Sequence, residues 1–377
     1  MSIPESLIPI GIPGSRVRIT FAPGGLNRLG VIAREEGAGR VLLVSDPGIR
    51  RAGHEAAAVR SLYRAGLVVA VFDEVVENPT TIIVNAGLRV AKEFKPDFIV
   101  GLGGGSSMDC AKGINFLYTN GGKMRDYQGV NKATQPMLPM IAIPTTAGTG
   151  SEAQSFALIT DPQTHQKMAC GDVKALARVA ILDASLTASQ PPRVAAATGI
   201  DAIAHAVETA VCIKRNPMSL TFSARAWRLL EGNFERSLSD RTDDRARAGM
   251  LLGAHLAGCA IENSMLGAAH ALANPLTSHF GVAHGFAVGM MLPHVVRFNA
   301  ADGDLYAAVL GLEADSLIRR IGQLLEAGNI RRRLSEHEIP EEALGRLAAD
   351  AAGQWTATFN PRAVGMAEML ELYRAAY

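Results

Sequence analysis

The sequence predicts an α/β N-terminal domain built on a parallel sheet, followed by an all-α C-terminal domain. Three observations carry this. From about residue 17 to residue 190, short apolar runs rich in β-branched residues alternate with helix-like stretches. A glycine-rich turn separates one such run from the helical pattern behind it. After Gln190 the texture changes, and Pro191-Pro192 opens a long Ala- and Leu-rich region with a 3.6-residue period and few β-branched clusters. The boundary is expected near residues 187–192, giving domains of 1–189 and 190–377.

The expected strands are VRITFA from Val17, VLLVSD from Val41, LVVAVFD from Leu67, FIVGLG from Phe98, MIAIPTT from Met140 and VAILDA from Val179. Behind the fourth lies GLGGGSSMDCAK, Gly101 to Lys112, leading into an amphipathic helix through Phe116. Glycines let backbone N–H groups approach a pyrophosphate, and Ser106 or Ser107 is expected to cap the helix. The loop is similar to a dinucleotide-binding turn but reads G-x-G-x-x-S, and the acidic residue expected roughly 20 positions later on the next strand is not clearly present. Asp46 lies upstream instead, ending its strand before Pro47-Gly48. There it either contacts a ribose hydroxyl, favouring NAD over NADP, or serves as an ordinary turn or cap residue. A second polar loop, PTTAGTGSE from Pro144 to Glu152, also follows a strand, with Thr149 or Ser151 as natural caps. In the helical half, Pro340-Glu341-Glu342 marks a further helix start, proline in the first turn.

The second half also carries Asp201 and His205 in GIDAIAHAVE, His270 in GAAHALANP and His284 in VAHGFAVG. On a helix, Asp201 and His205 point off one face about one turn apart. Such a pair is either a buried hydrogen-bonded couple or two ligands of a cation. Imidazole with carboxylate suits Fe²⁺, Zn²⁺ or Co²⁺ better than Mg²⁺ or Ca²⁺.

Bulk numbers exclude several classes. With 377 residues, 48% of them hydrophobic, the chain can bury a large core. Its 37 basic and 36 acidic residues leave a formal charge of +1, which gives no reason to expect nucleic acid or a membrane surface as partner. Arg331-Arg332-Arg333 reads as a solvated helix-end patch. Cys110, Cys170, Cys212 and Cys259 follow no C-x-x-C pattern and read as reduced, packed thiols. The start, MSIPESLIPIGIPG, lacks the features of a signal peptide, and no apolar run is expected to reach the ~18 residues of a membrane span. A cytoplasmic protein is expected.

Together, GGGSSMDCAK, PTTAGTGSE, TGIDAIAHAVE, LGAAHALANPL, AHG, LPHV and the closing NPR and LYRAAY closely resemble the iron-containing (group III) alcohol dehydrogenases, in order and along nearly the whole chain. The resemblance implies a dehydroquinate synthase-like architecture: an α/β dinucleotide-binding domain, an all-α metal-binding domain and a substrate cleft between them. It implies hydride transfer between an alkoxide and nicotinamide, by a metal-dependent NAD(P) alcohol dehydrogenase or aldehyde reductase. The metal would be Fe²⁺, with Zn²⁺ as the alternative, on Asp201, His205, His270 and His284. Cofactor contacts would fall on Asp46, Asn78, Gly104, Gly105, Ser106, Thr145, Thr146, Thr149 and Lys167, with NAD preferred and NADP the alternative. A small alcohol or aldehyde substrate and a homo-oligomer, a dimer by default, complete the expectation. The alternatives are a reductase of the maleylacetate type, acting on a carboxylated carbonyl, and a dehydroquinate synthase-like lyase.

One departure stands out. Many members carry a second histidine one helical turn after the third ligand, and here that place holds Asn274. Asparagine can orient a substrate or water but does not titrate near neutrality. His279 is the nearest alternative, although a surface or core role suits it better.

Overall fold

The computed structural model describes residues 10–163, 167–303 and 305–377. The segment 1–9, where no signal peptide is expected, lies outside them. Two compact units are present, Met1–Thr146 with Gly150–Ser189, and Ala147–Thr149 with Gln190–Tyr377.

Among its described residues the first unit contains ten strands: β1 (Ile10–Gly11), β2 (Arg18–Phe21), β3 (Arg40–Val44), β4 (Val68–Phe72), β5 (Phe98–Gly103), β6 (Gly129–Val130), β7 (Met140–Pro144), β8 (Phe156–Thr160), β9 (Lys167–Gly171) and β10 (Val179–Leu182). Its helices are α1 (Leu29–Glu35), α2 (Pro47–Arg51), α3 (His54–Arg64), α4 (Thr81–Phe94) and α5 (Gly105–Asn120), the last running one turn beyond the expected Phe116. The main sheet has the order β1-β2-β10-β7-β5-β3-β4. All six expected runs are in it and pair in parallel, and only the unexpected β1 joins antiparallel, on β2. Strands β3, β5, β7 and β10 are almost wholly buried, as continuous apolar runs under helices must be. From β3 the chain passes first to β4 on one side and then to β5 on the other. That reversal opens a crevice at the carboxyl ends of β3 and β5, where open α/β sheets bind ligands. A second sheet, β6-β9-β8, was not expected. Its β8 alternates half-buried and buried residues and pairs antiparallel with β9.

The second unit is helical throughout its described residues: α6 (Pro192–Val211), α7 (Pro217–Ser239), α8 (Asp244–Glu262), α9 (Ala268–Phe280), α10 (His284–Asn299), α11 (Ala307–Leu310), α12 (Ala314–Ala327), α13 (Leu344–Ala352) and α14 (Met366–Ala375), with short 3₁₀ turns between some of them. Pro192 starts α6 at the position where a missing N–H costs nothing. From Gly199 to Val211 every residue of α6 is buried, so it is a core helix. By length and hydropathy this helix would pass as a membrane span, contrary to the sequence expectation, but 78% of the apolar window is buried inside the unit. Pro340 precedes a 3₁₀ turn, Glu341–Ala343, that runs into α13, rather than lying within a first α-helical turn. Arg331 to Arg333 lie in the loop beyond α12, where Glu336 Oε2 accepts from the Arg332 and Arg333 amides. All four cysteines are free and buried.

The closing NPR and LYRAAY segments have structural work here. Arg362 donates to Phe298 O at 3.0 Å and lies over the Phe298 ring. Tyr373 is fully buried and donates to Leu272 O at 2.6 Å, tying α14 to α9.

Candidate metal centre and cofactor loops

In the second unit, α6 presents Asp201 and His205 one turn apart, α9 presents His270 from its first turn, and α10 begins at His284. The three imidazole Nε2 atoms converge on one carboxylate oxygen. Asp201 Oδ1 stands 3.3 Å from His270 Nε2, 3.6 Å from His205 Nε2 and 3.8 Å from His284 Nε2. The ligand atoms of Asp201, His270 and His284 all lie within 4.8 Å of one another. The His205 ring stacks on His270, centroids 4.8 Å apart and 18° from parallel. Asp201, His205 and His270 are each 4% exposed.

These residues fit a divalent ion. Asp201 Oδ1 and His270 Nε2 are buried and make no hydrogen bond, a costly condition for polar atoms unless something else satisfies them. Donors each about 2.0–2.2 Å from one ion stand roughly 3–3.6 Å apart around it, near the 3.3–3.8 Å that separates Asp201 Oδ1 from each imidazole, although the tightest group is Asp201, His270 and His284 without His205. Electrostatics agree. Burial alone would raise the Asp201 carboxyl, but His205, His270 and His284 hold it well below the usual carboxylate range. Burial pushes His205 down to about 4, leaving a neutral imidazole. His270 is also buried, yet the Glu208 and Asp201 carboxylates hold it up at about 9. The field that favours a proton on His270 Nε2 equally favours a cation there.

Glu208 belongs to this cluster although the sequence reading passed over it. It is buried on α6, its Oε2 pairs closely with His270 Nδ1, and its Oε1 accepts from Ala269 N at 2.7 Å. The signal was available: residues 201, 205 and 208 follow the i, i+4, i+7 spacing of a single helix face. Asn274 lies on α9 one turn beyond His270 and donates from Nδ2 to Gln354 Oε1 at 3.0 Å. His279 is exposed and pairs with Asp350, so it is a surface histidine.

In the first unit the crevice gathers most of the predicted cofactor residues. Asp46, just after β3, caps α2 by accepting from Gly48 N and Ile49 N, and its other oxygen accepts from Ser107 Oγ at 3.0 Å. The cap role is therefore realised, and the side chain also spans from the end of β3 to the first turn of α5. Neither serine caps α5, contrary to expectation: the cap position is Gly104, with no side-chain bond. Ser107 is engaged with Asp46, and Ser106 Oγ accepts from Asn78 N at 3.3 Å. With no capping side chain in the way, the first amides of α5, at Gly105 and Ser106, are left for another acceptor. Gly103 has φ +148°, and a Cβ there would stand 2.4 Å from Ser107 Oγ, so only glycine fits. Asn78 has φ +52°, which asparagine tolerates. Thr145 donates its amide to Gly103 O at 2.9 Å, and a Cβ on Gly104 would touch Thr146 at 3.4 Å.

The remaining two residues stand apart. Thr149 belongs to the second unit, and the 3₁₀ turn behind it is capped by Gly150, φ +61°, rather than by Thr149 or Ser151. Ser151 instead donates to Asp109 Oδ1 and accepts from Lys112 Nζ. Lys112 is fully buried, and its Nζ also donates to the carbonyls of Ser151, Gln154 and Phe156 at 2.7–2.9 Å. Lys167 opens β9 half-buried opposite Thr160, and burial raises the Asp109 carboxyl in spite of the opposing pull of the Lys167 charge, so the lysine is more than a surface charge.

Comparison with known proteins places these features. Residues 16–184 match the family described as iron-containing alcohol dehydrogenase, and residues 195–377 match the C-terminal part of the Fe-containing alcohol dehydrogenase family. The chain is 36% identical over 366 residues to alcohol dehydrogenase 4 of Schizosaccharomyces pombe, covering 94% of this chain and 86% of that protein. It superposes on the crystal structure of a 1,3-propanediol oxidoreductase with a TM-score of 0.92 at 32% identity, covering 96% and 98% of the two chains. On sulfoacetaldehyde reductase from Bifidobacterium kashiwanohense, solved in complex with NAD⁺, the TM-score is 0.88 at 26% identity, with 96% and 97% covered.

Proposed function

The chain belongs to the iron-containing alcohol dehydrogenase family, and from that premise we propose which of its residues carry the family's metal-dependent, NAD-linked interconversion of alcohol and aldehyde. Asp201, His205, His270 and His284 would hold the divalent ion, Fe²⁺ first and Zn²⁺ second. The observation that carries this is the convergence of three buried or half-buried imidazoles on the unsatisfied Asp201 Oδ1. When bound, such an ion supplies Lewis acidity, lowering the pKa of a substrate hydroxyl or polarising a carbonyl.

Within this reading, residues 1–189 form the dinucleotide-binding domain and 190–377 the metal-binding one. Gly104, Gly105 and Ser106 offer backbone amides to the pyrophosphate. Asp46 hydrogen-bonds a ribose hydroxyl and repels a 2′-phosphate, which favours NAD over NADP. Asn78, Thr145, Thr146 and Thr149 supply further hydrogen bonds, and Lys167 a positive charge. Asn274 orients substrate or water through its carboxamide, held by Gln354. Its side chain does not titrate near neutrality, so the proton leaves by a water chain, a cofactor ribose hydroxyl or another side chain. Short substrates are favoured, in keeping with the names of the propanediol and sulfoacetaldehyde relatives. A cytoplasmic homo-oligomer, a dimer by default, completes the proposal, and the four free thiols agree with a reducing compartment.

The test is metal content of anaerobically purified protein, with NADH and NADPH oxidation by short aldehydes before and after chelation. Near-stoichiometric metal and chelator-sensitive turnover are expected, and His270→Ala should lose both. Turnover that survives with the site stripped would overturn the assignment.

A further inference from the structure

The carboxylate of Glu208 performs two tasks with two oxygens. Oε1 accepts from the backbone amide of Ala269, and Oε2 from the ring of His270 at Nδ1. The cap position of α9, Gly267, has no side chain to offer, so the orphan amides of that helix are satisfied from elsewhere. Ala269 uses Glu208, and Ala268 uses Asn360 Oδ1 at 3.3 Å. Gly267 leaves just enough room, since a Cβ there would stand 3.0 Å from Asn360 Oδ1 and 3.1 Å from Glu208 Oε1. Asn360 is itself held in a buried network, donating to Asn299 Oδ1 at 2.7 Å, while Asn299 donates to the Tyr306 hydroxyl at 3.2 Å.

We propose that Glu208 is a positioning residue for the metal centre: it fixes both the start of α9 and the tautomer of His270, with the proton on Nδ1 and the Nε2 lone pair aimed at Asp201 Oδ1. The inference rests on the metal reading proposed above. It follows from donor and acceptor counts. A carboxylate accepts at both oxygens, whereas glutamine has one acceptor and one donor group. In Glu208→Gln, one orientation sets the amide NH₂ against the Ala269 N–H. The other sets it against His270 Nδ1, which must then accept, moving the ring proton to Nε2 where the metal would bind. Shape is kept in either case and the hydrogen-bond pattern is lost.

The experiment compares wild type, Glu208→Gln and His270→Ala by competitive Zn²⁺ titration against a chromophoric chelator. Circular dichroism of each metal-free protein monitors folding. For folded Glu208→Gln the Zn²⁺ dissociation constant should rise about 10–100-fold, the usual effect of removing such a partner. Imidazole ¹⁵N NMR of zinc-loaded wild type should show a slowly exchanging, strongly downfield Nδ1–H on His270. Wild-type Zn²⁺ affinity in Glu208→Gln, or a His270 Nδ1 without that proton, overturns the proposal. Should the variant not fold, the wild-type spectrum alone decides. Failure of the metal reading has a different signature, since His270→Ala would then bind Zn²⁺ as tightly as wild type.

Discussion

Gly285 offers a sharp test of how the metal centre is assembled. It is the second residue of α10, directly after His284, and a Cβ there would lie 1.9 Å from the carbonyl oxygen of Ala197 and 2.7 Å from its carbon. Ala197 is one turn before Asp201 on α6, so the first turn of α10 rests against the backbone of the helix carrying two other ligands. Ordinary contact begins at 3.4 Å. Backbone cannot rotate aside, so in Gly285→Ala the start of α10 must retreat by about 1.5 Å, at a cost of ~1–3 kcal/mol of overpacking. His284 Nε2, now 3.8 Å from Asp201 Oδ1, travels with it. A retreat along that line leaves the two roughly 5 Å apart, beyond the ~4.4 Å that donors 2.0–2.2 Å from one ion can span. We expect Zn²⁺ retention to fall and kcat to drop by about 10²-fold, the penalty for an ångström-scale misplacement. Zinc titration and steady-state turnover measure both. Gly289→Ala is the comparison: one turn further along α10, its Cβ meets only side chains, the tip of Leu325 at 2.9 Å and Ile200 at 3.2–3.4 Å, which can give where backbone cannot, so affinity should fall far less than in Gly285→Ala. Gly285→Ala with wild-type zinc affinity and turnover would refute the argument that close helix approach sets the position of His284.

Lys112→Met removes the donor that holds Ser151, Gln154 and Phe156, and by analogy with broken buried charge contacts should cost about 3–5 kcal/mol, read as an earlier denaturant transition of the first unit. An unchanged transition would show that the lysine is replaceable packing. Burial raises the Asp109 carboxyl above its ordinary 3.8, against the pull of Lys112 and the Ser151 hydrogen bond. A raised folded pKa stabilises below 3.8, and that contribution is lost as pH rises through the folded value. Wild type should therefore lose stability relative to Asp109→Asn across that window, and a pH-independent difference between the two melting curves would contradict it. Asn274→His places a titratable ring one turn beyond His270, so the pH profile of kcat should gain a limb near ~6.5, absent from wild type. Identical profiles would mean that this position does not reach the proton in flight.

Most of the fold was legible because its signals are local. Continuous β-branched runs marked six parallel strands, and Pro191-Pro192 with the change of period marked the helical half. What escaped was short or set by tertiary contact. Strands β1 and β6 have two residues each, too few for a pattern, and the β8–β9 pair depends on each strand finding the other. The caps went wrong for one reason at both loops: serine is the better intrinsic cap, but Ser107 and Ser151 are drawn into bonds with Asp46 and Asp109, leaving Gly104 and Gly150 at the cap positions. At the metal centre, Asp201 and His205 could be paired by helix geometry alone. His270 and His284 were joined to them by their apolar, Gly-punctuated segments and by motif resemblance, since nothing in their spacing fixes where α9 and α10 meet α6.

The polar stripe of α6 shows why that centre is hard to explain as ordinary core. From Gly199 to Val211 the helix is buried on every side, yet it carries Asp201, His205, Glu208 and Thr209. Burying such groups costs several kcal/mol each unless they are paired. Thr209 is satisfied by His205 O and Ser223, and Glu208 by Ala269 and His270. A core built for stability alone would close the remaining pairs in the same way. Asp201 Oδ1 instead faces three imidazole nitrogens at distances too long for strong hydrogen bonds and suited to ligands around one ion. Glu208 makes the contrast sharper, because the same helix face that leaves Asp201 unsatisfied holds the outer nitrogen of His270 in a close pair. At His270 the outer nitrogen is locked by Glu208 and the inner one left open toward Asp201, the arrangement expected of a ligand pre-set for a cation and the opposite of what packing for stability would select.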